Sequence, residues 1–534
     1  MDVFTQSLLA AAVLMPMVGS AIAVLGARVS NRRRRIATEL GWMSALLAVG
    51  TAVAVALRGS FGIALGGAHG QPLLGLWADP LTATLLVLIC GVGAVVQSYG
   101  LRYLQADPKA ERFVAAANMV VTAMAVVSTS ITLAGLVAAW VVAGIGFVAV
   151  VGARPDLPGV RTSARRTLGM FVLGDAALVG AAVIIWLRAG NVDVVSSYAV
   201  RLAAGAIGGF SGAVALLIVV AALSRSAQGP FGRWLPGTVS APTPASALLH
   251  AGVVNGGGIL LIRLGALAGD SIFAMVVAFT VAAGTAIVAT ALMTRKPDVK
   301  GALVFSTMGQ MGFMIAECAV GAYLAALVHL VGHGMYKATL FFGSGSQVSR
   351  LGEESIAPAR AGSTLVRLLA AGTMAVATVG VMTTIPGVLE HRGGAVLLVF
   401  TAATAAAAGW AWWAQRPGSL GVTVAWVASM LAAGALYGLV LGGLGDWIGP
   451  ALPITGIGTL SPWWLLIMGV GGLAIAGLLR ISSIRRRLVA SLIAAGAPPA
   501  ITSPQRSTHG FVDPWVGSRG DAVQTTAIWM EGVA

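Results

Sequence analysis

Apolar runs of about twenty residues recur along the whole chain, each closed by a short polar segment. They lie near residues 8–27, 37–57, 80–99, 113–130, 131–152, 167–188, 203–223, 243–264, 270–292, 300–319, 323–345, 365–386, 393–415, 420–442 and 463–480. A helix rises about 1.5 Å per residue, so a run of that length crosses the ~30 Å hydrocarbon core of a bilayer. The ten-residue alternating segments of a transmembrane barrel do not occur in this sequence. The pattern predicts an all-α polytopic membrane protein of about 15 transmembrane helices. Three stretches break the rhythm. Residues 58–79, "RGSFGIALGGAHGQPLLGLWAD", are glycine-rich and predict an external loop. Residues 224–245, "SRSAQGPFGRWLPGTVSAPTPA", carry Pro230, Pro236, Pro242 and Pro244 and predict a broken helix. At membrane depth such backbone is tolerated only against protein or water, and discontinuous helices mark ion routes in transporters. The last stretch, with "APPAITSPQRSTHG", is too polar to span and too short for a core. The chain thus divides into a transmembrane domain over 1–480 and a cytoplasmic tail over 481–534.

Composition agrees with this reading. Hydrophobic residues make up 57% of the chain and charged residues 10%, against about 25% charged in a soluble domain. The 71 glycines suit close helix contact in lipid. The net charge of +15 would fit nucleic acid or anionic lipid, but its placement argues against nucleic acid, because the basic residues fall in alternate loops. One set holds Arg32 to Arg35, Arg102, Lys109, Arg112, Arg154, Arg161, Arg165, Arg166, Arg295, Lys296, Arg350, Arg360, Arg416 and Arg485 to Arg487. The other holds little beyond Arg58, Arg188, Arg201, Arg263 and Arg392. The positive-inside rule makes the first set cytoplasmic. The N-terminus is then outside and the C-terminus inside, in a multi-pass protein of the cell inner membrane. The first apolar run is not expected to be a signal peptide, since its basic cluster follows it. Cys90 and Cys318 fall in predicted spans and read as small buried apolar residues.

The stretch "HLVGHGMYKATLFFG" sets His329, His333 and Lys337 four residues apart, on one helix face. Lipid does not tolerate such a stripe unless it faces protein or water. An imidazole accepts a proton on one nitrogen and gives one from the other, so spaced histidines can relay protons through water. Removal from water disfavours an ammonium, so a lysine held there can give up its proton. The alternative is that the histidines only hydrogen-bond neighbouring helices. The histidine pair also fits zinc, but no glutamate stands between the two and no third ligand is near in sequence. His250, in "APTPASALLHAGVVNGGG", lies inside a span next to the broken segment. Arg225 closes an apolar run. It is either a snorkelling interfacial arginine or a fixed charge that tunes its neighbours, since arginine does not deprotonate. As a simple fixed charge it should tolerate replacement by lysine. Asp175, in "FVLGDAALVG", is a lone carboxylate in a span and needs a partner, for which Arg225 is the candidate. Lys300 opens a span and is continued inward by Ser306, Thr307 and Gln310, with Glu317 as a candidate exit group. No nucleotide, quinone, haem or iron–sulfur motif occurs in the sequence, so no cofactor is expected.

Taken together, "SRSAQGPFGRWLPGTVSAPTPASALLHAG", "DVKGALVFSTMGQMGFM" and "HLVGHGMYKATLFFGSGS" resemble the antiporter-like proton-translocating subunits of respiratory complex I and of multisubunit sodium/proton antiporters. "LWADPLTATLLVLI", "YGLRYLQADPKAERF" and "FVLGDA" extend the likeness over roughly residues 75–350. Within that superfamily, "APTPASALLHAGVVNGGGILLIRLG" is most similar to DabB, the membrane subunit of DAB-type inorganic-carbon accumulation complexes. The resemblance implies an antiporter-like fold and a proton-conducting subunit. It also implies a large cytoplasmic zinc-binding partner of the DabA kind, which would hydrate carbon dioxide to bicarbonate. Catalysis would belong to that partner and not to this chain. Three departures stand out. Where the complex I family has a glutamate after a tryptophan, "WVVAG" places Val141, and the family's lysine in the broken helix is Arg225. The "GFFSKD" type of motif is replaced over residues 376–390 by "VATVGVMTTIPGVLE". They leave one conduit, through His250, Lys300, His329, His333 and Lys337. A cation/proton antiporter subunit, a complex I-like NADH–quinone oxidoreductase subunit and a non-conducting scaffold are the alternatives.

Overall fold

The apolar runs fold as helices. The computed structural model describes residues 3–24, 31–66, 72–195, 197–293, 296, 298–350, 364–384, 394–415, 420–452 and 460–478. All of them belong to one unit, Met1–Ala497. The predicted tail over 481–534 lies outside the described residues.

The chain opens with the helices α1 (Val3–Val24) and α2 (Asn31–Arg58), then a hairpin of strands β1 (Phe61–Leu65) and β2 (Leu74–Ala78). There follow α3 (Pro80–Tyr103), α4 (Ala110–Thr129), α5 (Leu133–Val151) and α6 (Val160–Ala189), then α7 (Ser197–Ile207) and α8 (Ser211–Arg225). The short α9 (Thr243–Ala251), α10 (Gly256–Arg263) and α11 (Gly265–Ala268) come next. The later helices are α12 (Ile272–Met293), α13 (Val299–Ala319), α14 (Tyr323–Arg350), α15 (Thr364–Thr383), α16 (Gly394–Gln415), α17 (Leu420–Ile448) and α18 (Trp464–Leu478). Neighbours in sequence pack as hairpins, with α1 on α2, α4 on α5, α12 on α13 and α15 on α16.

Among the described residues, eleven stretches are long and apolar enough to cross a membrane. The sequence pattern gives about 15 spans. Four of these fall on α14, α15, α16 and α18, which are helical but not among the eleven. For α14 the reason is visible, because two histidines and a lysine interrupt its apolar face.

Residues 58–79 differ from the simple loop that their glycines suggest. Phe61 pairs with Ala78, and Gly62 with Trp77, in an antiparallel ladder. A Cβ at Gly62 would stand 2.6 Å from the Trp77 ring, so the glycine makes room for the indole across the strand pair. An isolated bridge from Leu76 to Ser130 ties the hairpin to the end of α4, and another from Thr132 to Asp193 ties the start of α5 to the segment after α6.

The predicted break at 224–245 is a change of helix type. After α8 the chain passes Ala227 and Gly229, both at positive φ, and continues as a 3-10 stretch, Gly229–Ser240, before α9. The freed backbone groups find partners inside the protein, as a low-dielectric setting demands. Trp234 Nε1 donates to the Ser224 carbonyl at 3.1 Å, and Gln228 Nε2 donates to the carbonyls of Ser226 at 2.7 Å and Met308 at 3.2 Å. The apolar run read as one span over 243–264 contains a second break. A 3-10 turn, Val253–Asn255, separates α9 from α10. The glycines that follow it let α10 approach its neighbours closely. A Cβ at Gly257 would collide with the Ala222 carbonyl and the Ser226 hydroxyl of the α8 end.

Candidate functional site

The i, i+4 spacing of α14 places its ionisable residues on a buried face. Lys337 is 1% exposed, and its Nζ donates to Ser306 Oγ of α13 at 2.7 Å. His333 is buried one turn away, with its ring 6.3 Å from that of His329. His250, at the last turn of α9 before the second break, is fully buried and stacks on Phe341 of α14 at 4.6 Å. Neither ring nitrogen of His250 or His333 meets a protein hydrogen-bond partner among the described residues. A neutral imidazole must place one donor and one acceptor, so these rings are suited to bond mobile water.

His329 differs from the other two. Its Nδ1 lies 2.9 Å from Glu317 Oε2, and its Nε2 lies 2.9 Å from Gln310 Oε1, both on α13. Two oxygen neighbours match an imidazolium, which donates from both nitrogens. A neutral ring fits after the Gln310 amide turns over to present its NH₂. The antiparallel hairpin of α13 and α14 therefore pairs Ser306 with Lys337, Gln310 with His329, and Glu317 with His329. A cavity of about 530 Å³ borders this row and is also lined by Thr401 of α16 and Tyr437 of α17. Lys300 stands at the opposite end of α13 from Glu317. It is half-buried, and its Nζ lies 3.4 Å from the carbonyl of Ala241, where the 3-10 stretch ends.

The remaining two site candidates form a second cluster. Arg225 NH2 donates to Asp175 Oδ1 of α6 at 2.7 Å and to the Trp140 carbonyl of α5 at 3.1 Å. Trp140 Nε1 donates to the same Asp175 oxygen at 2.8 Å. The guanidinium lies 4.4 Å from the ring centroids of both Trp140 and Phe171. At 1% exposure, Arg225 does not snorkel to an interface. Gly144 and Gly256 leave the space it occupies. The carboxylate that faces Arg225 is thus Asp175 of α6.

Sequence reasoning missed three contributors. Phe341, which covers His250, carries no local signal. Trp140 is the one indole in its span, directly before Val141, and Tyr437 is the one tyrosine of α17. Trp140 and Tyr437 were visible as polar atoms in apolar helices, but not as partners.

Residues 130–419 match the family described as NADH:quinone oxidoreductase/Mrp antiporter, transmembrane. Residues 70–114 match the N-terminal region of complex I chain 5. The chain is 33% identical over 341 residues to a probable inorganic carbon transporter subunit, DabB1, of Halothiobacillus neapolitanus, covering 63% of this chain and 60% of that one. It is 30% identical over 360 residues to NADH-quinone oxidoreductase subunit L of Mycobacterium tuberculosis, covering 64% and 56%. The chain therefore spans about 60% of the length of the curated relatives it matches. Its fold is similar to a chain of the Mrp complex from Dietzia sp. DQ12-45-1b, with a TM-score of 0.62 and 25% identity over 91% of this chain and 58% of that one.

Proposed function

Because the chain belongs to the NADH:quinone oxidoreductase/Mrp antiporter family of membrane subunits, we infer that its buried row of ionisable side chains conducts protons and energises a partner's chemistry. One observation carries this reading. Ser306, Lys337, His333 and His329 of α13 and α14 line one cavity, and His250 of α9 stacks on Phe341 of α14, one turn beyond Lys337. Buried ionisable groups are costly in a membrane, and a row of them sharing one face is best accounted for by ion movement. Lys337 is the central station. It exchanges a proton with His333 one turn away, and His250 extends the route toward the broken segment and Lys300. The Arg225–Asp175 pair is a fixed dipole beside this route and carries no proton itself.

Inorganic carbon transporter subunits stand among the similar proteins, which supports the partner that the sequence resemblance implies. The energised reaction is then the hydration of carbon dioxide to bicarbonate by a large cytoplasmic zinc protein of the DabA kind. That partner would dock on the basic cytoplasmic face. The likeness to the Mrp complex favours a second reading, a subunit of a cation/proton antiporter. Val141 and Arg225, where complex I relatives carry a glutamate and a lysine, weigh against a complete pump of that kind.

Affinity purification from native membranes separates the readings by what accompanies the chain. A zinc protein is expected, and quinone-reductase or antiporter subunits would transfer the assignment to the second reading. Expressed with the zinc partner, the chain should let a strain lacking carbonic anhydrases grow in air. Lys337→Ala should reduce that growth and proton flux at least ten-fold while the protein still accumulates in the membrane. Full activity in Lys337→Ala would rule out the relay.

A further inference from the structure

The proton route needs a group through which it leaves the protein, and the geometry points to Glu317 as that terminal proton-binding carboxylate. The assignment rests on the conducting reading above and adds to it the end of the path. Glu317 is 1% exposed, in the last turn of α13, two residues before the helix ends at Ala319. From Ser306, beside Lys337, to Glu317 is about 16 Å along the helix. The cavity of about 530 Å³ touches both ends of that interval, so it links the lysine level to the carboxylate level.

Each group facing Glu317 suits proton exchange. From α14, His329 approaches with Nδ1 at 2.9 Å, and His333 and Lys337 stand further along the same face. From α17, Tyr437 lines the same cavity. From α13 itself come Gln310, on the other ring nitrogen of His329, and the adjacent Cys318. α16 contributes Thr401 to the wall. A carboxylate serving only as a helix clip would have no use for a cavity reaching Lys337.

The step balances simply. His329, carrying a proton on each nitrogen, donates the Nδ1 proton to Glu317 Oε2. This leaves a neutral imidazole and a carboxylic acid. The acid releases its proton to water at the α13–α14 turn, and the ring, which keeps its Nε2 proton on Gln310, is recharged at the vacant Nδ1 by a proton from cavity water.

The test uses the complex purified from its native membrane and reconstituted in vesicles, with proton flux driven by a potassium diffusion potential. Glu317→Gln should lower flux at least ten-fold and flatten its pH profile, and Glu317→Asp should restore at least a third of it. The apolar carboxyl reagent dicyclohexylcarbodiimide should inhibit the unaltered complex in step with modification of Glu317, read by peptide mass spectrometry. Wild-type flux and pH profile in Glu317→Gln, alongside a silent Lys337→Ala, would overturn the exit assignment and leave the path standing. Absence of flux in the unaltered complex, or normal flux in Lys337→Ala, would overturn the path and this assignment with it. Should Glu317→Gln fail to accumulate, the labelling decides: inhibition without modification at Glu317 overturns the proposal.

Discussion

Arg225 is held by a carboxylate, a carbonyl and two aromatic faces, and this changes what its replacement should do. Read from sequence as a fixed charge, it should tolerate lysine. In the structure the planar guanidinium is sandwiched between Trp140 and Phe171 while reaching two acceptors. An ammonium keeps the charge but loses the plane. Each desolvated cation–π contact is worth about 0.5–2 kcal/mol, so Arg225→Lys should cost about 1–3 kcal/mol in total. Asp175→Asn should cost more, about 3–5 kcal/mol, because it leaves a buried guanidinium without a counter-charge. Thermal unfolding of the purified variants in detergent checks both the sizes and the order. An Arg225→Lys protein that melts with the wild type would show that the stacked geometry contributes nothing.

At the scale of elements, the site depends on two interruptions in what would otherwise be two continuous helices. The first was legible, since four prolines and three glycines between 224 and 245 cannot extend an α-helix. The second was not. Nothing in "LLHAGVVNGGGILL" separates an interrupted helix from one that uses glycine for close packing. The structure shows that both are true, because α10 begins where Gly257 presses on the end of α8. A methyl group there would force α10 away from Ala222 and Ser226, next to Arg225. Overpacking of this kind costs about 1–3 kcal/mol. Gly257→Ala should therefore lower the melting temperature and the proton flux together. Gly284→Ala, where an added Cβ meets nothing within 4 Å, should leave both unchanged. Equal behaviour of the two variants would remove the argument that this contact positions the site.

At the scale of the whole molecule, the direction of the path follows from which face is cytoplasmic. The loops joining α3 to α4 and α5 to α6 share one face, where Arg154 bonds Asp107 and Asp156, and Lys109 bonds Asp156. Arg154 and Lys109 together hold the Asp156 carboxyl below the usual carboxylate range. In the orientation we propose from charge bias this face is cytoplasmic, which would put Lys300 at the inner end of α13 and Glu317 at the outer end. Cys90 and Cys318 are both buried, so the native background for thiol labelling should be low. A membrane-impermeant maleimide should modify Arg32→Cys only from the cytoplasmic side and Ser60→Cys only from outside. The reverse pattern would invert the path.

The sequence alone determined the helical class, most of the spans, the first break and the residues able to carry charge, because each is a local matter of composition and spacing. A histidine or lysine in an apolar run is costly wherever the helix packs, so His250, His329, His333 and Lys337 were visible without a fold. Arg225 was already the candidate partner of Asp175, and the two meet across 50 residues. The other partners were decided only by tertiary structure: Trp140 donates to Asp175 across 35 residues, and Gln310 reaches His329 across 19. These contacts depend on which helix lies beside which. Helices apolar on all sides do not encode their neighbours in a hydrophobic stripe, and lipid supplies no contrast with an apolar interface. Close packing of small residues such as Gly144, Gly256 and Gly257 sets those neighbours instead, and its complementarity exists only in three dimensions.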